Sequence, residues 1–569
     1  MPKSRLIPLA VAFGLALGAP ASAQAPDGLA GPYLAARTAS IENDYEAAAT
    51  YFTRALIADP SNPLLLEYAI VAQVALGEVD RAVPIARQID QIEAVSQLGN
   101  LVILADLAKQ GDYTGALAEL DGGRAAGPLV EGLFRAWALL GEGRMSDAAN
   151  AFDKVGETEG LHAFSLYHKA LALASVGDFE GADSIFSGEA GGPLRATRRG
   201  VIAHAQILSQ LERNADAVEL IEATFGPEPE PALAVLRDRL KAGEPVPFDV
   251  VTNAMDGLAE VFFTVAGALS GETQDAYTLS YSRLAEYLRA DHVDAILLTA
   301  DILEAQGQYD LATDAYNRIP RDDPAFHAAE LGRANALIKA DRIEAAIEVL
   351  QQLTKSHGEL PIIWMTLGDT FRRVERYDAA SKAYDEAIAL LGDPQPGQWG
   401  LYYARGITHE REKRWPQAEA DFRTALELSP DQPQVLNYLG YSYLEMKTNL
   451  DEALDMIERA VAARPEDGYI TDSLGWALYR LGRYDEAVVQ MERAIELMPV
   501  DPIVNDHLGD VYWAVGRHRE AEFQWKRALS FEPETEEEAQ RIRRKLEVGL
   551  DVVLQEEGAE PLAVSKNGN

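Results

Sequence analysis

Residue types that could do chemistry are plentiful in this chain, which carries 9 histidines and 90 aspartates and glutamates. Their spacing decides whether any chemistry follows. His409-Glu410-Arg411-Glu412 begins like a zinc-peptidase helix, in which two histidines one turn apart hold the metal and the glutamate serves as base. The fifth position, however, is Lys413. His507 and Asp510 lie one helical turn apart and supply two ligands, and His162 and His168 could meet only after a bend. A zinc site needs three or four ligands, and the chain has no cysteine to complete one. No Gly-x-Ser-x-Gly elbow and no glycine-rich phosphate loop occurs. Carboxylates so common are neighbours everywhere, so their proximity in sequence says little. These spacings point to no catalytic residue, no cofactor and no metal. What remains is recognition, for which tyrosine and tryptophan are suited: each offers a large area, few rotors and a polar handle.

The chain repeats most clearly near its C-terminal end. Pro433–Asp467, Gly468–Asp501 and Pro502–Thr535 are near-copies of one unit; the last two are 34 residues long, and the first has one more in its Lys447–Leu450 turn. Leu439-Gly440, Leu474-Gly475 and Leu508-Gly509 recur in register. So do Ala453, Ala487 and Ala521, then Ala460, Ala494 and Ala528, then Pro465, Pro499 and Pro533. Each unit reads as helix A, a short turn and helix B. Gly475 and Ala487 are expected where the two helices touch, and Ala494 where helix B meets the next unit. A larger side chain there would over-pack the contact at roughly 1–3 kcal/mol. Pro499 ends helix B because it lacks an N–H and clashes with the preceding turn.

The period, the small residues and the closing proline resemble the tetratricopeptide repeat (TPR) family. That resemblance implies an all-α, right-handed superhelical solenoid of helix-turn-helix units. Anchored on the turn before helix B, the period extends backward as degenerate units from Leu29. About fourteen units fit, in two halves. The phase breaks at residues 232–258, where Ala242-Gly243-Glu244-Pro245-Val246-Pro247 reads as a loop. The expected organisation is an N-terminal array over 29–231, a junction over 232–258, a C-terminal array over 259–535, a capping helix over 536–554 and a disordered tail over 555–569. Thr535 and Glu538 match a capping box at the last helix, whose first turn is acidic and whose later turns are basic.

The resemblance further implies that unit positions two, five, nine and twelve of helix A face the concave wall. In the C-terminal half these include Tyr403, Tyr441, Tyr469, Asp472, Trp476, Tyr479 and Trp513, the candidate partner-binding residues. Asn437, Asp506 and Asp510 lie among them. Tyr441 is expected beside Trp476, forming one aromatic patch with Tyr479. The alternative is that these rings pack neighbouring A helices. Family members that clamp a terminal carboxylate use lysine, asparagine and arginine, and acids stand here instead. In the N-terminal half the same positions give Leu98, Leu101, Ala105 and Ala108, then Val130, Leu133, Trp137 and Leu140, then Phe164, Tyr167, Leu171 and Ala174. A stripe of this kind exceeds the few hundred Å² that a soluble monomer exposes. Either a partner covers it or the chain covers itself.

The charge, 51 basic against 90 acidic residues or −39, argues against nucleic acid and anionic lipid as partners. Lys3 and Arg5, the apolar stretch Leu6–Leu17 and Ala21-Ser22-Ala23 read as a signal peptide over 1–23, cut before Gln24. No later segment reads as a transmembrane span, and a cysteine-free exported chain suits a bacterial periplasm and lacks a lipobox. The expected function is a non-enzymatic periplasmic protein–protein interaction adaptor. Tyr438-Leu439-Gly440-Tyr441-Ser442-Tyr443 through Asp472-Ser473-Leu474-Gly475-Trp476-Ala477-Leu478-Tyr479 looks like bacterial envelope TPR adaptors of carboxy-terminal processing proteases. The alternative is an assembly scaffold for polysaccharide export or outer-membrane biogenesis. The oligomeric state is left open.

Overall fold

Helix boundaries in this chain are set by side chains that the local backbone needs. Asp467 accepts from the N–H groups of Tyr469 and Ile470, and Asp501 from those of Ile503 and Val504. Each fills two of the four donors that open a helix. Pro433 and Pro502 open their helices, where the missing N–H costs nothing. The turn between helices A and B passes through one left-handed residue, Gly482 at φ 74° and Gly516 at φ 80°. Glu375 and Lys413 adopt the same conformation at 59° and 61°, at a cost of about 1–2 kcal/mol each.

The computed structural model describes residues 29–559. Among the described residues there are 31 α-helices and no strand. The signal-peptide expectation, and residues 560–569 of the expected tail, lie outside the described residues. The chain forms two compact units that divide between Arg342 and Ile343. The break at 232–258 therefore lies inside the first unit.

In the second unit each helix A packs on its own helix B, and each helix B packs on the helix that follows it. Small residues set the spacing. A Cβ on Gly475 would stand 2.7 Å from Met491, and one on Gly509 would stand 2.4 Å from Trp525. Ala487 and Ala494 are fully buried. The array closes with the capping box as read: Thr535 Oγ1 accepts from the Glu538 N–H, and Glu538 returns the bond to the Thr535 N–H. The expected single cap over 536–554 is two helices, Glu536–Val548 and Leu550–Glu556. Gly549, at φ 84°, turns the chain between them so that Trp513 can pack there, where a Cβ would come within 2.6 Å of its ring.

In the first unit the apolar stripe is covered by the chain itself. The helix pair Ala254–Leu269 and Asp275–Leu288 stacks forward on Val293–Ala305, as a repeat should, and backward lies against the Pro63–Ala75, Gln97–Lys109 and Pro128–Gly141 helices. Gly257 fits over the Trp137 ring, which a Cβ would meet at 2.2 Å. The Phe262 ring stands 6.3 Å from Phe134. The Arg283 side chain donates to the Ala75 carbonyl at 3.0 Å, and Tyr287 to Asp80 at 2.7 Å. Leu101, Leu133, Trp137 and Leu171 are buried as a result.

The loop before this pair is pinned. Val246, Val250 and Val251 are buried. Gln206 and Asp249 exchange two hydrogen bonds, at 2.7 and 3.1 Å, and Ser209 accepts from the Val246 N–H at 2.9 Å. Proline and glycine stop the helix there, and these contacts hold the chain as it turns inward.

Candidate partner-binding wall

The inner helices of the second unit hold all seven sequence-predicted residues, and packing sorts them into three groups. The first is buried. Asp472 and Tyr479 on the Gly468–Arg480 helix are 6% and 7% exposed, so neither is free for a partner. Burial, with Asp510 and Tyr484 nearby, pushes the Tyr479 phenol well above its usual range. The second group is half-buried and engaged. Tyr403 sits among Trp399, Phe422 and Tyr438, with ring centroids 6.3, 6.0 and 5.9 Å away. Trp513 donates to Asp551 at 3.0 Å and stacks on His518 at 4.1 Å. Tyr441 is half-buried, and desolvation followed by the charges of Glu445 and Asp472 raises its phenol pKa. Trp476 belongs here too and is treated below. The third group is Tyr469 alone, 58% exposed, its hydroxyl donating to Asp501 at 3.2 Å. One repeat later Ile503 holds the same unit position and is 40% exposed.

The expected patch of Tyr441, Trp476 and Tyr479 forms differently. Trp476 stacks on Tyr479 at 4.8 Å and, on its other side, on His507 at 4.0 Å with the planes 14° apart. His507 comes from the repeat after Trp476, whereas Tyr441 stands in the repeat before it. The His507 Nδ1 stands 3.0 Å from Asp472. Burial alone would lower the His507 pKa, but Asp472, through charge and hydrogen bond, and then Asp506 and Asp510 raise it above the ordinary value. A protonated imidazole flat on an indole is a cation–π pair, anchored from behind by a carboxylate. Glu445 accepts from the Trp476 indole N–H at 3.2 Å and from Arg480 at 3.3 Å. Sequence reasoning missed His507 as a member of this site. The available signal was its offset of 35 from Asp472, one repeat plus one residue, which sets the two side by side on adjacent A helices.

Asp506 and Asp510, expected on the open wall, are covered by the cap. Lys545, with a fully buried side chain, donates to both, at 2.8 and 2.6 Å. Trp525 donates to Asp510 at 2.9 Å. His507 and Asp510 thus turn to different partners. Among the described residues no group of three or more metal-ligating side chains could hold an ion, and no helix is long and apolar enough to cross a membrane.

The tetratricopeptide repeat family profile matches residues 33–94, 331–398, 365–433, 403–468 and 447–502, and a second profile of the same repeat matches 294–325. The chain is a tetratricopeptide repeat protein. A TPR repeat-containing protein of Pseudomonas aeruginosa is 29% identical over 187 residues, which cover 32% of this chain and 30% of the relative's own length. Among solved structures, the chain is similar to the APC/C hetero-tetramer Cut9-Hcn1, with 16% identity, 91% and 96% of the two chains covered and a TM-score of 0.37. Yeast Tom70 gives 14% identity, 94% and 99% coverage and a TM-score of 0.35. The matched repeats include the units that carry Tyr469, Trp476 and Tyr441.

Proposed function

We propose that this chain is a non-enzymatic protein–protein interaction adaptor of the periplasm, with the inner wall of its second unit as the partner surface. One observation carries the reading: Tyr469 and Ile503 hold the same unit position in successive repeats, remain exposed, and lie on the helices that carry Trp476 and its stacking partner His507. Repeat proteins present extended surfaces of this kind to partners. An exposed aromatic whose hydroxyl already has an acceptor offers its ring at low entropic cost. Asp501 and Glu445 beside these rings suit a partner segment with basic and apolar side chains in alternation. The finer reading is recruitment or activation of a carboxy-terminal processing protease, supported by the resemblance of the block from Tyr438 to Tyr479 to envelope adaptors of such enzymes. The periplasmic location rests on the export signal in residues 1–23.

Mild crosslinking in the envelope, followed by capture of the full chain, tests the partner. The expected result is a processing protease captured by the native chain and lost with Tyr469→Ala. Capture of a polysaccharide synthase or an outer-membrane channel instead would replace the adaptor by an assembly scaffold. The mature protein should begin at Gln24 on N-terminal sequencing, and a cytosolic chain starting at Met1 would overturn the location.

A further inference from the structure

The first unit contains a cavity of about 620 Å³ that repeat packing does not explain, between the His162–Ser175, Arg198–Gln210 and Ala254–Leu269 helices. Small-ligand pockets run to roughly 300–1,000 Å³, with mostly apolar walls and a few placed polar groups. Phe164, Phe186, Leu194, Leu220 and Phe263 supply the apolar wall here. Gly267 lines the same space, and a Cβ built on it would meet nothing within 4 Å. A glycine within a helix is unfavourable relative to alanine, so the gap beside it is open room and not a close approach of two backbones.

The polar side of the cavity is a built network. Arg199 donates to Glu260 at 2.6 Å and to Asp294 at 2.7 Å. Arg198 donates to Asp294 and to Glu230, each at 2.9 Å. Tyr167 donates to Glu260 at 2.9 Å, and His292 Nε2 stands 3.3 Å from it. Every carboxylate lining the cavity is thus engaged by an arginine. Arg195 is different. It lines the mouth, is exposed, and among the described residues no acid pairs with it. A free guanidinium fork binds a planar carboxylate with two parallel bonds. Glu260 and Asp294 nearby disfavour any ligand with a second negative charge.

We infer that this cavity is a binding site for a single-chain apolar carboxylate, its chain lying among Phe164, Phe186 and Phe263 and its carboxylate on Arg195. The site is separate from the partner wall, and its test is independent of the adaptor reading. Calorimetric titration of the full chain with octanoate, and with octanol as the uncharged molecule of equal chain length, tests it. Octanoate should bind saturably at one site, and octanol at least about tenfold more weakly. Arg195→Glu should weaken octanoate by about tenfold or more, and Arg195→Lys by less. Gly267→Leu should fill the cavity and abolish binding, with an unchanged helical circular dichroism spectrum. No saturable octanoate binding to the native chain would overturn the inference. So would binding that Gly267→Leu leaves intact, or octanol binding as tightly as octanoate with Arg195→Glu without effect. Because Arg195 is exposed and unpaired, its variants test the site even where Gly267→Leu does not fold.

Discussion

The inner walls of the two units are built from the same helix positions and meet opposite fates. In the first, aliphatic side chains and Trp137 at those positions receive the Ala254–Leu269 and Asp275–Leu288 helices, and the wall becomes core. In the second, tyrosine, tryptophan and aspartate stand at the equivalent places, with His507 one position beyond. They pair with one another along the wall, and the cap buries the last of them. Tyr469 and Ile503 stay exposed. The difference teaches that a repeat wall is a binding surface only where its side chains can be satisfied without a second layer. Apolar positions must find a cover. Aromatic and acidic positions can stack and hydrogen-bond laterally and still show a face to solvent.

The comparison can be broken at its strongest point by emptying the filled wall. Trp137→Ala should destabilise the first unit by about 3–5 kcal/mol, the range for a large buried aromatic, read from denaturant unfolding. A loss under about 1 kcal/mol would mean that the wall is not core. Lys545→Ala comes next. It leaves Asp506 and Asp510 with only the longer pairing to Arg541, at 3.8 and 3.7 Å, and breaking a buried pair costs up to about 3–5 kcal/mol. Protonation of Asp510, whose pKa burial already raises, offsets part of that cost. Hydrogen exchange should accelerate across 536–556, and unchanged protection there would show that the cap docks by apolar contacts alone.

On the open wall the two aromatics should separate. Tyr469→Ala should change stability by less than about 0.5 kcal/mol while weakening a captured partner by about 2 kcal/mol, as at an interface hot spot. Trp476→Ala should lower both, because it loses the stacks on Tyr479 and His507 as well as the exposed edge. Equal stability losses for the two variants would mean that Tyr469 is packing and the wall is not a binding surface.

The smallest effect is a pH dependence. The His507 pKa is raised above the ordinary 6.5 in the folded chain. The stabilisation is therefore complete below 6.5 and is lost as pH rises through the folded value. The melting temperature of the second unit should fall over that interval, with a change in Trp476 fluorescence, and His507→Gln should flatten both. A native profile identical to that of His507→Gln would remove the charged imidazole from the wall.

Much of this molecule was legible in its sequence because repeats carry their own instructions. The glycines and alanines at fixed offsets, the capping aspartates, the closing prolines and the Thr535–Glu538 box act within one or two turns of helix. A local pattern is enough to read them. The resemblance to the family implied which positions of helix A face inward, and so which aromatics to consider. Tertiary structure decided what those positions touch. That the stripe from Leu98 to Ala174 is covered by the chain's own helix pair depends on where residues 242–253 turn, and that turn is fixed by Gln206 and Ser209, some forty residues earlier. That His507 stacks on Trp476 depends on the rotation between adjacent helices. That Lys545 buries Asp506 and Asp510 depends on how the last helix docks. These are contacts between residues distant along the chain, set by side-chain shape and charge in three dimensions, and the 34-residue period narrows the candidates without choosing among them.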